Sequence, residues 1–111
     1  MLDSILNPKT VAVIGASDAP GRIGGRPIHM MLEGGFGGKI FPVNPNRSTI
    51  QGLKSYAHIS EVPLAIDCAV IAVPAKIALT AVQDCATAGV KALVMFTSGF
   101  AEIDTSGEAA Q

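Results

Sequence analysis

A parallel β-sheet with helices on both faces is the fold this sequence predicts. Three observations point to it. Short apolar runs rich in Val and Ile recur at Thr10 to Gly15, Lys39 to Val43, Ile66 to Val73 and Lys91 to Phe96. Segments with apolar residues at helical spacing separate the first run from the second and the third from the fourth. Gly and Pro punctuate the joins. Alternation of this kind requires crossover connections and therefore an α/β layer fold with a parallel sheet.

Each element has its own reason. Thr10 to Gly15 (TVAVIG) reads as a strand buried on both faces, closed by Gly. A Gly-rich loop from Ala16 to about Gly25 follows. Pro27 to Glu33 carries Ile28, Met31 and Leu32 at helical spacing, and a Pro is tolerated in a first helical turn. Gly34 and Gly35 stop that helix. Lys39 to Val43 is the second strand, with Pro42 demanding a position that needs no N–H. Lys54 to Ala57 reads as a short third strand, and Ser60 to Val62 as a helical turn. Ile66 to Val73 is the clearest strand. Lys76 to Ala88 is a helix, with Ile77, Ala81, Cys85 and Ala88 on one face and Gly89 as its stop. Lys91 to Phe96 is a further buried strand. Thr105-Ser106-Gly107-Glu108 has capping-box spacing and would open another helix, too short to be stable alone. Right-handed crossovers give the strand order 3-2-1-4-5. The whole chain, residues 1–111, is expected to be one domain, cut short at its C-terminal end.

Composition excludes several classes. Hydrophobic residues make up 49% and charged residues 15% of the 111, which rules out a disordered chain. Twelve Gly and seven Pro rule out long heptad repeats. A net charge of −1 argues against a nucleic-acid binder. No run of 18 apolar residues exists, so no membrane partner is expected. Met1 to Pro8 has neither a basic start nor a long apolar run, and the cytoplasm is the expected compartment. Cys68 and Cys85 sit in apolar runs and read as buried thiols.

Four loops fall at strand C-termini, where such folds bind ligands. In the first, Gly15 permits a tight turn, Ala16 follows, and Ser17 offers a hydroxyl and an N–H. Gly21, Gly24 and Gly25 would let the backbone approach a phosphate at the helix N-terminus, with Arg22 beside them. The spacing is not G-x-G-x-x-G, and a plain strand-to-helix turn remains open. The second loop, Asn44-Pro45-Asn46-Arg47, lacks the acid that holds a ribose diol in NAD sites. From Ala19 to Ser60 five basic residues face one acid, a local +4 that suits a ligand with several phosphates. A solvated basic face is the alternative. The third loop, Val73-Pro74-Ala75, is apolar and can only flank a ring or an arm. The fourth, Thr97-Ser98-Gly99-Phe100, offers hydroxyls but lacks the first Gly of a nucleophile elbow. His29 and His58 have no companion ligands at metal spacing and read as surface or packing residues. These residues describe a binder of a phosphate-bearing cofactor, without catalytic groups or a metal site.

Taken together, VAVIGAS (Val11 to Ser17), FPVNPN (Phe41 to Asn46), IDCAVIAVPA (Ile66 to Ala75) and GVKALVMFTSGFAE (Gly89 to Glu102) resemble a known family. It is the N-terminal CoA-binding domain of ADP-forming acyl-CoA synthetases, related to the α subunit of succinyl-CoA synthetase. The resemblance implies a Rossmann-like sheet that binds CoA or acyl-CoA. It places Gly15 to Ser17 and the Gly-rich turn near the CoA phosphates and makes Arg47 a phosphate contact. It sets Val73, Pro74 and Ala75 beside the CoA moiety, and Thr97, Ser98 and Gly99 toward the thiol end. Complete enzymes of the family interconvert acyl-CoA, ADP and phosphate with acid, CoA and ATP through a phosphohistidine. Neither His29 nor His58 matches that position, so ATP and ADP would enter only through further domains or subunits. Three other readings stay open: the CoA-binding, regulatory part of a protein acetyltransferase, an NAD(P)-binding domain, and a stand-alone CoA binder.

Overall fold

The β-branched run Thr10–Ile14 forms β1, the strand on which the rest of the sheet is hung. A computed structural model of the chain describes residues 7–96. The elements after β1 are α1 (Arg26–Glu33), β2 (Lys39–Val43), β3 (Thr49–Ile50), β4 (Leu53–Lys54), a 3-10 turn (Ile59–Glu61), β5 (Cys68–Ile71), α2 (Ala75–Thr87) and β6 (Ala92–Met95). β1 pairs in parallel with β2 on one side and β5 on the other, and β5 pairs in parallel with β6. The sheet therefore runs β2-β1-β5-β6.

Side chains alternate across the sheet with the period of two that a strand imposes. Ala12, Phe41, Ala69 and Ile71 pack with Ala78, Ala81 and Cys85 of α2 on one face. Val11 and Val13 pack with Ile28 of α1 and with Ile50 on the other. A helix on each face explains why β1 is apolar along its whole length. Cys68 and Cys85 are both buried and unpaired.

The N-terminal ends of the strands are closed by polar ties. The Asp67 carboxylate accepts the Lys9 N–H at 2.9 Å, and Lys91 Nζ lies 3.5 Å away. Asp67 donates its own N–H to Thr10 Oγ1 at 2.8 Å, and that hydroxyl donates to the Ala65 carbonyl. The Lys9 amide is the main reason that the Asp67 carboxyl titrates below its ordinary range, with Lys91 adding to it.

Three expectations need correction. The third strand is not a member of the sheet. Leu53–Lys54 instead pairs antiparallel with Thr49–Ile50 around Gln51 and Gly52, whose φ angles of 50° and 82° make a hairpin turn. Among the described residues one parallel bridge, Val43 to Tyr56, meets the outer edge of β2, with the Tyr56 N–H donating to the Pro42 carbonyl and the Asn44 N–H to the Tyr56 carbonyl. The outermost place in the predicted order 3-2-1-4-5 is thus held by a single bridge. Second, α2 buries Ala78, Ala81 and Cys85, while Ile77 is 48% exposed and Ala88 lies at the surface. Ala81 and Cys85 hold the expected face, and only its ends differ: Ala78 takes the place of Ile77, which falls at the open end of the sheet, and Ala88 is exposed. Third, β6 is not a buried strand: Leu93, Val94 and Met95 are 37–39% exposed, since the described residues offer β6 a neighbour on one side only. The predicted helix opening at Thr105 lies outside the described residues.

Candidate functional site

The C-terminal ends of β1, β2 and β5 are tied by backbone hydrogen bonds and braced by a few side chains. After Ile14 the chain turns at Gly15, with φ of 82°. The Gly15 and Ala16 amides both donate to the Val43 carbonyl, at 3.0 and 3.2 Å, which holds the loop against β2. Ser17 then donates its N–H to the Gly24 carbonyl at 3.2 Å and closes the Gly-rich loop on itself. A Cβ on Gly24 would collide with the Gly15 carbonyl oxygen, so this closure requires glycine. The loop feeds α1, which carries Pro27 in its first turn.

The closure changes the expected role of Ser17. Its N–H is already used, so only its hydroxyl is left to meet a ligand. That hydroxyl accepts the Ala19 N–H at 3.1 Å and keeps its own proton to donate. Asn44 is likewise a brace. Its side-chain amide donates to the Ala16 carbonyl at 2.9 Å and accepts the Asn46 N–H at 2.8 Å.

Two residues that the sequence reading passed over complete the wiring. Gln51, at the tip of the β3–β4 hairpin, donates its side-chain amide to the Ser17 and Gly25 carbonyls, each at 3.0 Å. Its backbone N–H donates to Asp18 Oδ1 at 2.6 Å. The other Asp18 oxygen accepts from Arg47 Nη1 at 3.3 Å. Neither residue has a local signal, since the partners stand 26 to 34 residues apart.

This scaffold frames two hollows that meet at Gly15. One is a polar crevice of about 730 Å³, walled by Ser17, Asp18, Arg22, Asn44 and Arg47. The other is an apolar pocket of about 280 Å³ between Ile14, Val43, Pro45, Val73 and Ile77. His58, Thr80 and Asp84 form its polar rim.

The predicted residues distribute as follows. Gly15, Ala16, Ser17, Arg22, Gly24, Asn44 and Arg47 line the crevice. Pro45 and Val73 line the apolar pocket. Asn46 serves the turn after β2, Pro74 caps α2 and Ala75 begins it, and none of the three lines either hollow. Thr97, Ser98 and Gly99 lie outside the described residues. The local +4 is not one surface. Lys39 lies by the opposite end of the sheet, Lys54 stacks 5.1 Å over the Tyr56 ring, and Arg26 reaches the Gly21 carbonyl. Arg22 and Arg47 remain at the crevice, opposed by Asp18.

Among the described residues, neither cysteine thiol is poised for covalent work. Burial, with Asp84 adding to it, pushes the Cys85 thiol up to about 11, and burial raises Cys68 as well. Among the described residues no three His, Cys, Asp or Glu side chains could hold a metal.

The profile of the family of CoA binding domains matches residues 9–111. Trans-feruloyl-CoA synthase from an unknown prokaryotic organism is 42% identical over 106 residues, which are 96% of this chain and 15% of that protein. ADP-forming acetate–CoA ligase II of Archaeoglobus fulgidus is 44% identical, again over 96% of this chain and 16% of that protein. Among solved structures, acetyl-coenzyme A synthetase 1 of Ca. Korarchaeum cryptofilum, in complex with phosphate and ADP, superposes with a TM-score of 0.86. It is 44% identical and is matched over 93% of this chain and 22% of its own. This chain therefore spans less than a quarter of the length of each of these proteins.

Proposed function

The chain belongs to the family of CoA binding domains, and on that premise we propose that it holds CoA for an ADP-forming acyl-CoA synthetase. The complete reaction interconverts acyl-CoA, ADP and phosphate with free acid, CoA and ATP. This chain's share is to bind and orient the CoA. ATP and ADP are handled by further domains or subunits of the same enzyme.

The observation that carries this reading is the join of a polar crevice to an apolar pocket across Gly15. CoA has the matching division, with clustered phosphates on one side and uncharged parts on the other. Arg47 and Arg22 meet the phosphates, and the Ser17 hydroxyl donates to one of them. Arg47 is already charge-paired with Asp18, so a phosphate competes with that carboxylate for one edge of the guanidinium and takes the other edge freely. Gly15, Ala16, Gly24 and Asn44 shape the crevice, and Pro45 and Val73 flank an uncharged part of the ligand. Asn46 holds the turn after β2, and Pro74 and Ala75 start α2, beside the same ligand. Thr97, Ser98 and Gly99 belong to the thiol end of the same site.

A calorimetric titration of the chain with CoA, dephospho-CoA and NAD in parallel tests the reading. Binding of CoA, weaker binding of dephospho-CoA and none of NAD is the expected result. NAD binding without CoA binding would overturn it in favour of a dinucleotide site.

A further inference from the structure

The polar crevice already holds an anion of the chain's own. Asp18 stands on its wall with both carboxylate oxygens engaged. Oδ1 accepts the Gln51 backbone N–H at 2.6 Å, and Oδ2 accepts from Arg47 Nη1 at 3.3 Å. The N–H comes from the tip of the β3–β4 hairpin, where Gln51 has a φ of 50°. The guanidinium comes from the loop after β2. A backbone N–H beside a guanidinium is a donor set that suits phosphate as well as carboxylate. Asp18 and a ligand's phosphate therefore compete for the same Arg47.

The contact is weak enough to be displaced. Both side chains of the pair are about half exposed, so water competes for them and the pair stabilises the fold little. It still penalises any anion that enters. While Asp18 holds Nη1, a phosphate has only the remaining N–H groups of Arg47 and meets a negative charge beside them. The penalty is similar for every phosphate that recruits Arg47, but its consequence is not. CoA also has uncharged parts for the apolar pocket, which offset it. Free phosphate and pyrophosphate have none, so the same penalty removes a larger share of what holds them.

We infer that Asp18 is an autoinhibitory stand-in for phosphate: it holds Arg47 until a ligand takes the guanidinium over, and it weakens the hold of the crevice on small free anions. In naming CoA as the ligand that takes over, this rests on the reading above. Gln51 is part of the device. Its N–H keeps Asp18 on the wall while Arg47 turns to the ligand, so the carboxylate is in place to reclaim the guanidinium on release.

The test is calorimetry on the full chain with CoA and with inorganic pyrophosphate. Asp18→Asn keeps an oxygen for the Gln51 N–H, but it loses the charge and turns a donor toward Arg47. It should bind each ligand about fivefold tighter at low salt, the upper end for an exposed ion pair. The gain should shrink as salt is raised. Asp18→Ala should gain as well, though less, because it also gives up the Gln51 tie. In an Arg47→Ala background the Asp18→Asn gain should disappear, since no guanidinium remains to be freed. Unchanged or weaker binding of both ligands in Asp18→Asn would overturn the inference and leave Asp18 a brace of the loop. An equal gain with and without Arg47 would also overturn it and reduce Asp18 to a nearby charge. If neither the unaltered chain nor Asp18→Asn binds CoA while the pyrophosphate gain remains, the CoA reading falls and the role of Asp18 stands.

Discussion

The two ends of the sheet are built on opposite plans. At the N-terminal end, side chains tie the strands: Asp67 and Thr10 take up the amides and carbonyls that the strand ends leave over. At the C-terminal end, much of the tie is backbone to backbone, through Gly15 and Ala16 to Val43 and Ser17 to Gly24, with Asn44 and Gln51 bracing it. Satisfying the amides with carbonyls leaves Arg22, Arg47 and the Ser17 hydroxyl available to a ligand. The first end spends its polar side chains on holding the fold. The second also uses Asn44 and Gln51 as braces, and on the CoA reading it leaves Arg22 and the Ser17 hydroxyl for the ligand.

If that division is right, substitutions at the two ends should separate binding from stability. The largest effect is expected from Gly24→Ala. The added methyl collides with the Gly15 carbonyl, and the loop must shift to admit it. Thermal unfolding should show a loss of about 1–3 kcal/mol, typical of overpacking. Titration should show CoA affinity falling by more than the stability change alone explains. Retention of full affinity would mean that the loop closure does not shape the site.

Arg47→Ala comes next. It should weaken CoA by about 1.5–3 kcal/mol, the range for a hydrogen bond to a charged group. Dephospho-CoA should lose less if the guanidinium holds the 3′-phosphate, whereas equal losses would remove that assignment. The melting temperature should barely move, because the Arg47–Asp18 pair is exposed to solvent on both sides. Ser17→Ala should be milder, at about 0.5–1.5 kcal/mol for one neutral hydrogen bond. An unchanged affinity would place the hydroxyl outside the contact set.

At the other end, Asp67→Asn should leave CoA binding alone and act on stability in a pH-dependent way. The Asp67 carboxyl is lowered from 3.8 in the fold, so its contribution is present above that value and is lost as pH falls through the folded pKa. The gap in melting temperature between the two proteins should therefore be open near pH 7 and close in acid. A gap that is constant with pH would remove the charge from the explanation. The effect is the smallest of the four because the carboxylate is only partly buried and its partner Lys91 is exposed.

What could be read from the sequence follows from how far each determinant reaches. The strands at Thr10 and Lys39 were legible because a run of β-branched residues closed by Gly or a turn is a local signal. Gly15, Ser17, Asn44 and Arg47 were legible for the same reason, as loop residues at strand ends. The strand expected at Lys54 was not, because the hairpin depends on positive φ at Gln51, where no Asn or Asp advertises it. The face of α2 was read correctly at Ala81 and Cys85 but not at its start, because Ile77 looks more like a core residue than Ala78 does. Its place at the sheet's open end is set by tertiary packing alone. The apolar composition of β6 said nothing of how many neighbours it would have. Asp18, Gln51 and Asp84 were passed over, and His58 was read as a surface or packing residue, because each is a common polar residue until the fold brings it to its partner.

The hold of Gln51 on the Gly-rich loop has a dynamic consequence. One residue at a hairpin tip carries three hydrogen bonds to that loop, so the two segments open as a unit. In hydrogen–deuterium exchange, the Gln51 amide should therefore share its protection with Ser17. A ligand in the crevice should slow both, although the hairpin lies more than thirty residues further along the chain.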